Sequence, residues 1–212
     1  MTYDAVVFDN DGVVVGRTDF EVLEDAAWDA FEKLGVPDPK PSHVELVTVG
    51  ASPAQVQDVA FVYDLDPDRF WEVREQTMAE AQHEEVRAGR KALYDDLDAA
   101  RGIVSSNQQS TVDFVLDHTG ARRHFDAAYG REPTIRSLDL RKPNPHYLHE
   151  ALDDLGTEDA LFVGDNESDI EAAHNAGIDS AFIRRPHRED WYLNVTPDYD
   201  IDSLTALQDI CA

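Results

Sequence analysis

Cysteine, lysine and long apolar runs are all scarce in this chain of 212 residues. The single cysteine, Cys211, excludes an internal disulfide and a cysteine-based metal cluster. No apolar stretch approaches the ~20 residues that a membrane-spanning helix needs. The N-terminus also lacks the basic, apolar and small-residue order of a secretory leader, so a cytoplasmic protein without a membrane partner is expected. Positive charge is short as well. Lys33, Lys40, Lys91 and Lys142 are the only lysines beside 14 arginines, and these 18 cations face 44 acids for a net charge of −26. Such a surface repels nucleic acid and anionic membrane alike. Internal repeats and low-complexity segments are missing too, and the acids alternate with apolar runs, unlike a disordered acidic tail. Excess acid with little lysine matches the surface of a salt-accumulating halophile, where molar salt screens the self-repulsion.

What is present reads as one or two α/β domains. Strand-like runs occur at Ala5 to Phe8, Gly102 to Ser105, Ala127 to Tyr129, Ala160 to Val163 and Ser180 to Ile183. Helical patterns separate most of them, which predicts a parallel sheet covered on both faces. Val112, Val115, Leu116 and Thr119 precede Gly120, and Leu148, Ala151, Leu152 and Leu155 precede Gly156, so both glycines fall where helix C-caps belong. Between Gly16 and Gly89 the alternation stops. Phe20, Leu23, Ala27, Ala30, Phe31 and Leu34 form one apolar helical face, Val56 to Ala60 a shorter one, and Phe70 to Ala81, after Pro67, a longer one. The boundaries expected are a core of residues 1–15 and 89–212 and a helical insert of residues 16–88, with hinges near Gly16 and Gly89.

Four places carry chemistry. In Val6-Val7-Phe8-Asp9-Asn10-Asp11-Gly12 a strand delivers two carboxylates, at i and i+2, to the same side of an extended chain. One can attack phosphorus while the other protonates the leaving oxygen and then activates water. Ser106 and Asn107 end the second strand, either as phosphate-binding groups or as ordinary helix caps. Lys142, in Arg141-Lys142-Pro143-Asn144-Pro145, stands at the start of a helix, where its ammonium can neutralise both phosphate and nucleophile. Gly164-Asp165-Asn166-Glu167-Ser168-Asp169 follows another buried strand. Asp165 there offers oxygen to a hard cation or simply caps the helix, and Asp169 is suited to orient Lys142 or metal-bound water. His146 and His149, one helical turn apart, lack a third ligand at a recognisable spacing and read as a solvated face.

Taken together, Asp9-x-Asp11-Gly12, Ser106-Asn107, Lys142-Pro143-x-Pro145 and Gly164-Asp165-x-x-x-Asp169 resemble the four motifs of the haloacid dehalogenase superfamily of phosphohydrolases, over essentially the whole chain. The resemblance implies a Rossmann-like parallel sheet of order 3-2-1-4-5, and the helical insert resembles the C1 cap of phosphoglycolate phosphatase and β-phosphoglucomutase relatives. It implies Asp9 as nucleophile, Asp11 as acid and base, and Ser106, Asn107 and Lys142 as phosphate-binding residues. Mg²⁺ would be held by the Asp9 carboxylate, the Asp11 main-chain carbonyl and Asp165. Asn10 stands where many relatives carry an apolar residue, and Gly16 where many carry an aspartate. Asp11 argues against a true dehalogenase, whose ester forms without that acid.

The function the resemblance implies is Mg²⁺-dependent hydrolysis of a small phosphorylated metabolite, a phosphoglycolate- or sugar-phosphate-like monoester, through an aspartyl phosphate, by a monomer or weak homodimer, with substrate selected by loops such as Thr48 to Ser52. A phosphomutase would use the same residues. A non-catalytic phosphoacceptor, similar to response-regulator receivers, would be much shorter and lack the insert.

Overall fold

The computed structural model describes residues 3–87, 99–188 and 191–211. Six strands form one sheet: β1 (Ala5–Phe8), β2 (Ala100–Gln108), β3 (Ala127–Arg131), β4 (Ala160–Gly164), β5 (Asp179–Ile183) and β6 (Tyr199–Ile201). Every pairing is parallel, and the order is β3-β2-β1-β4-β5-β6. The five expected strands take the expected order. The sixth was not legible, because Tyr-Asp-Ile is too short to display a period. It is held at the edge by Ser180, whose N–H and hydroxyl both donate to Asp198.

Alternation along β1 sends Val6 and Phe8 into one core and Ala5 and Val7 into another. Helix α5 (Gln109–Thr119) packs Val112, Val115 and Leu116 on the first face. Helices α6 (His146–Leu155) and α7 (Glu167–Ala176) cover the second with Leu148, Leu152, Ala172 and Ala173. Gly120 and Gly156 end α5 and α6 in the left-handed conformation, as their positions predict.

Between β1 and β2 lie α1 (Phe20–Lys33), α2 (Pro41–Val49), α3 (Pro53–Val62) and α4 (Pro67–Arg87). Three of the four begin on proline, whose fixed φ suits a first turn. Ser52 and Gln55 form a reciprocal capping box on α3. These helices share a core of their own, built on Phe31, Val44, Val56, Phe70 and Trp71. Helix α2 was missed in sequence because its β-branched residues mask the period, and Thr48 and Val49, expected in a loop, are its last residues. The expected hinge at Gly89 lies outside the described residues.

The register decides where chemistry can happen. Phe8, the last residue of β1, is level with Ile103 of β2 on one side and Val163 of β4 on the other. The chain order reverses there, β2 lying to one side of β1 and β4 to the other, and this leaves a crevice outside the carboxyl ends of the strands.

Candidate active site

Asp9 continues β1 by one residue, its N–H donating to the Val163 carbonyl at 2.8 Å. The chain then turns through Gly12, whose φ of +90° few side chains adopt and whose missing Cβ leaves room for the Asp165 carboxylate. Arg185, beyond β5, secures this turn by donating to the carbonyls of Gly12 (2.9 Å) and Val13 (2.8 Å). Asp165 follows β4, and Asn166 is the N-cap of α7, in a capping box whose return bond runs from the Asn166 N–H to Asp169 Oδ2 at 2.9 Å. Asp165 is therefore not the cap. Gly164 matters for the same reason as Gly12, since a Cβ there would overlap Asp169.

Lys142 connects the parts. Its Nζ lies 2.7 Å from Asp9 Oδ1 and 2.7 Å from Asp169 Oδ1, and it donates to the Val104 carbonyl at 3.3 Å. Pro143 follows it across a cis peptide, and Pro145 is the N-cap of α6, so both prolines precede the first turn of that helix. Burial opposes the charge of Lys142, but Asp169 and Asp9 outweigh it and raise its pKa, which keeps the ammonium protonated. Burial pushes the Asp9 carboxyl upward. Lys142 pulls it down, while Asp169 and Asp11 add to the push.

These groups line a cavity of about 160 Å³ together with Asp11, Ser105, Ser106 and Asn107. Asp11 Oδ2 accepts long bonds of 3.4 Å from Asn107 and from Asn10, so Asn107 touches the second carboxylate. Neither Ser106 nor Asn107 is the N-cap of α5; that position is Gln108. The Ser106 carbonyl accepts from Arg131 at 2.9 Å. The structure thus brings Asp9, Asp11, Ser106, Asn107, Lys142, Asp165 and Asp169 to one cavity. Arg17 and Ser168 line it too and were missed. A cation just after the first motif, in a chain so poor in cations, was the available signal for Arg17.

Asp9, Asp165 and Asp169 each offer a carboxylate oxygen, all within 4.8 Å of one another. Three carboxyl groups face one ammonium in a buried pocket, and burial pushes Asp9 and Asp169 upward, so the pocket favours further positive charge. An all-oxygen donor set is what a hard cation takes. Asp169 is engaged through both oxygens by Lys142 and the Asn166 N–H, which leaves Asp9 and Asp165 as the carboxylates able to hold it.

The family model for haloacid dehalogenase-like hydrolases matches residues 6–183. Among curated proteins, the chain is 32% identical over 131 residues to the pyrophosphatase PpaX of Bacillus cereus strain G9842, covering 60% of this chain and 56% of that one. It is 29% identical over 135 residues to PpaX of Bacillus velezensis, covering 59% and 61%. The chain spans about half the length of the curated relatives it matches. Among solved structures, CbbY of Rhodobacter sphaeroides in complex with phosphate aligns with a TM-score of 0.70 at 19% identity, covering 97% of this chain and 96% of that one. A haloacid dehalogenase-like family protein of Streptococcus pneumoniae aligns at 0.62 and 20% identity, covering 99% of each. At these identities the likeness is one of fold.

Proposed function

Because the chain belongs to the haloacid dehalogenase-like hydrolase family, we propose that it hydrolyses small phosphate monoesters, using Mg²⁺, through an aspartyl phosphate on Asp9. One observation carries the reading: Lys142 Nζ stands 2.7 Å from both Asp9 and Asp169 at the reversal point of the parallel sheet. An ammonium so placed opposes the burial that pushes the Asp9 carboxyl upward, and so favours its ionised form, and it neutralises an incoming phosphoryl group.

Lys142 engages Asp9 Oδ1, so Oδ2 is the oxygen that attacks phosphorus. As the ester P–O bond breaks, Asp11 gives its proton to the departing alkoxide. Asp11 then takes a proton from water, whose oxygen attacks the phosphoryl group and releases inorganic phosphate and the Asp9 carboxylate. Ser106 and Asn107 donate to the phosphoryl oxygens. Asp9, Asp165 and the Asp11 main-chain carbonyl would hold Mg²⁺, which would supply further charge neutralisation when bound. Asp169 acts by holding Lys142.

Helices α1–α4, in residues 16–88, serve in this reading as a cap that selects small substrates and excludes water. The curated relatives named pyrophosphatase support a phosphorylated small molecule as substrate and add a phosphoanhydride to the assay panel.

The test is turnover of small phosphate esters and pyrophosphate with Mg²⁺ in concentrated potassium chloride. Asp9→Asn should reduce turnover below detection. Asp11→Asn should slow alkyl phosphates by about 10²–10⁴-fold and spare the phosphorylation step for aryl esters, whose leaving groups depart unprotonated. Undiminished activity of Asp9→Asn would sink the mechanism. Equal slowing of both ester types would remove Asp11 as the acid.

A further inference from the structure

Fourteen residues, 132–145, separate β3 from α6. Connections of this kind in α/β units usually run to ~2–6 residues, so a segment this long calls for a use. Its middle is not a solvated loop. The Ser137 hydroxyl lies 2.5 Å from the Glu132 carbonyl and 2.8 Å from that of Thr134, and the chain closes into a 3₁₀ turn at Arg136–Leu140. Ser137 is 2% exposed and Leu138 4%.

What buries Leu138 is the helical insert. Leu138 belongs to the same core as Phe31, Val44, Val56, Phe70 and Trp71, and Ile135 packs against that core, although both residues come from the stretch between β3 and α6. Polar bonds tie the stretch to the insert at both ends. At its start, Arg131 donates to the two oxygens of Glu75 on α4 at 2.7 and 2.8 Å and to the Glu132 carbonyl at 3.2 Å, and Glu75 pairs with Arg74 at 2.6 Å as well. At its end, Arg141 donates from Nη2 to the carbonyl of Ala51, between α2 and α3, at 3.0 Å, and from Nε to the Leu138 carbonyl at 3.1 Å. Gly50 leaves room for this arginine: it adopts a φ of +113°, and a Cβ there would lie 2.7 Å from Arg141 Nη1.

Lys142 comes next in the chain. Its Nζ is 2.7 Å from Asp9 and from Asp169, so the stretch packed into the insert runs directly into the ammonium at the reversal point of the sheet. A group that must stand between two carboxylates tolerates little displacement, and a misplacement of ~1 Å at a reacting centre can cost ~10²-fold in rate.

We propose that residues 132–141 form one body with the helical insert and that the insert thereby holds Lys142 in place, with Leu138 and Arg141 as positioning residues that act through it. The inference rests on the reading of Lys142 as the cation of the phosphoryl site. The insert then does more than cover the cavity. It fixes the charge on which the nucleophile depends.

Lysine-selective ¹⁵N NMR of the whole chain in concentrated potassium chloride tests this without turnover. Only four lysines are present, and the Lys142 signal is identified by its loss in Lys142→Arg. Its ammonium protons exchange with water when Nζ leaves its carboxylates, an opening that a loosened stretch makes easier. In Leu138→Ala, and separately in Gly50→Ala, which displaces Arg141 from the insert side, that exchange should quicken by about tenfold or more, the equivalent of ~1.4 kcal/mol of lost hold. Leu138→Met refills the space and should restore slow exchange. Leu116→Ala opens a cavity of the same kind on the α5 side of the sheet and should leave Lys142 close to the unsubstituted protein. Should Leu138→Ala fail to fold, Gly50→Ala carries the comparison. Unchanged exchange in either folded variant, or an equal quickening in Leu116→Ala, would overturn the proposal. Absence of hydrolysis by the unsubstituted enzyme would instead overturn the hydrolase reading while leaving the exchange comparison intact.

Discussion

Lys142 sits between Asp9 and Asp169 with only 6% of its side chain exposed, and it is 2.7 Å from each carboxylate. Replacing it with methionine leaves two carboxylates buried together without their cation. That should cost about 3–5 kcal/mol in a chelator-containing buffer near pH 8. The sign with pH follows from burial, which raises both carboxyl pKa values above those of the unfolded chain, and from the loss of the cation that held them down. The folded variant therefore binds protons that the unfolded chain does not, so its stability falls as pH rises, and the gap to the wild type should narrow toward pH 5. Urea denaturation at the two pH values checks this; a gap independent of pH would mean that losing Lys142 does not raise the carboxyl pKa values further. At this scale the sequence was informative about residue types, since Asp9, Asp11, Lys142 and Asp165 stand at strand ends or just before a helix. It did not reveal that Arg185 secures the Gly12 turn, because those partners are 173 residues apart in the chain.

Elements α4 and β3 are joined by Glu75, which is 1% exposed and accepts from Arg131 across the gap, while its own carbonyl accepts from Gln108 at 2.7 Å. A buried pair that bridges two elements contributes to how they are oriented as well as to stability. Glu75→Gln would leave Arg74 and Arg131 without their anion, with an expected loss of about 3–5 kcal/mol in urea denaturation. A midpoint within experimental error of the wild type would show that water or another carboxylate takes over. The apolar runs of β1, β2 and β4 and the C-cap glycines of α5 and α6 were legible, because burial on both faces and a left-handed cap each leave a strong local signature. Helix α2 and strand β6 were not. The first is stabilised by the shared core of its neighbours, and the second by side-chain bonds to Ser180.

Over the whole molecule the net charge of −26 sets the conditions under which everything else operates. The Debye length shrinks from ~10 Å at 0.1 M salt to ~3 Å at 1 M, so neighbouring surface carboxylates cease to repel one another. Thermal melts should shift upward between those concentrations of potassium chloride, by about 2–4 °C for each kcal/mol of repulsion removed. An unchanged midpoint would end the argument for a salt-adapted surface. Among the described residues no helix is long and apolar enough to cross a membrane.

Legible in the chain alone were the parallel α/β architecture, the strand order that the motif resemblance implied, and the residue types gathered at the carboxyl ends of the strands. Those features depend on short-range patterns: alternating apolar residues, glycines at turns, and acids placed at strand ends. Only the tertiary structure decided which groups face one another. Arg141 reaches Ala51, Arg131 reaches Glu75, and Lys142 reaches Asp9 across 90, 56 and 133 residues of sequence. No local period encodes such pairs; they follow from the parallel register that aligns Phe8 with Ile103 and Val163, and from the shared core that packs α1–α4.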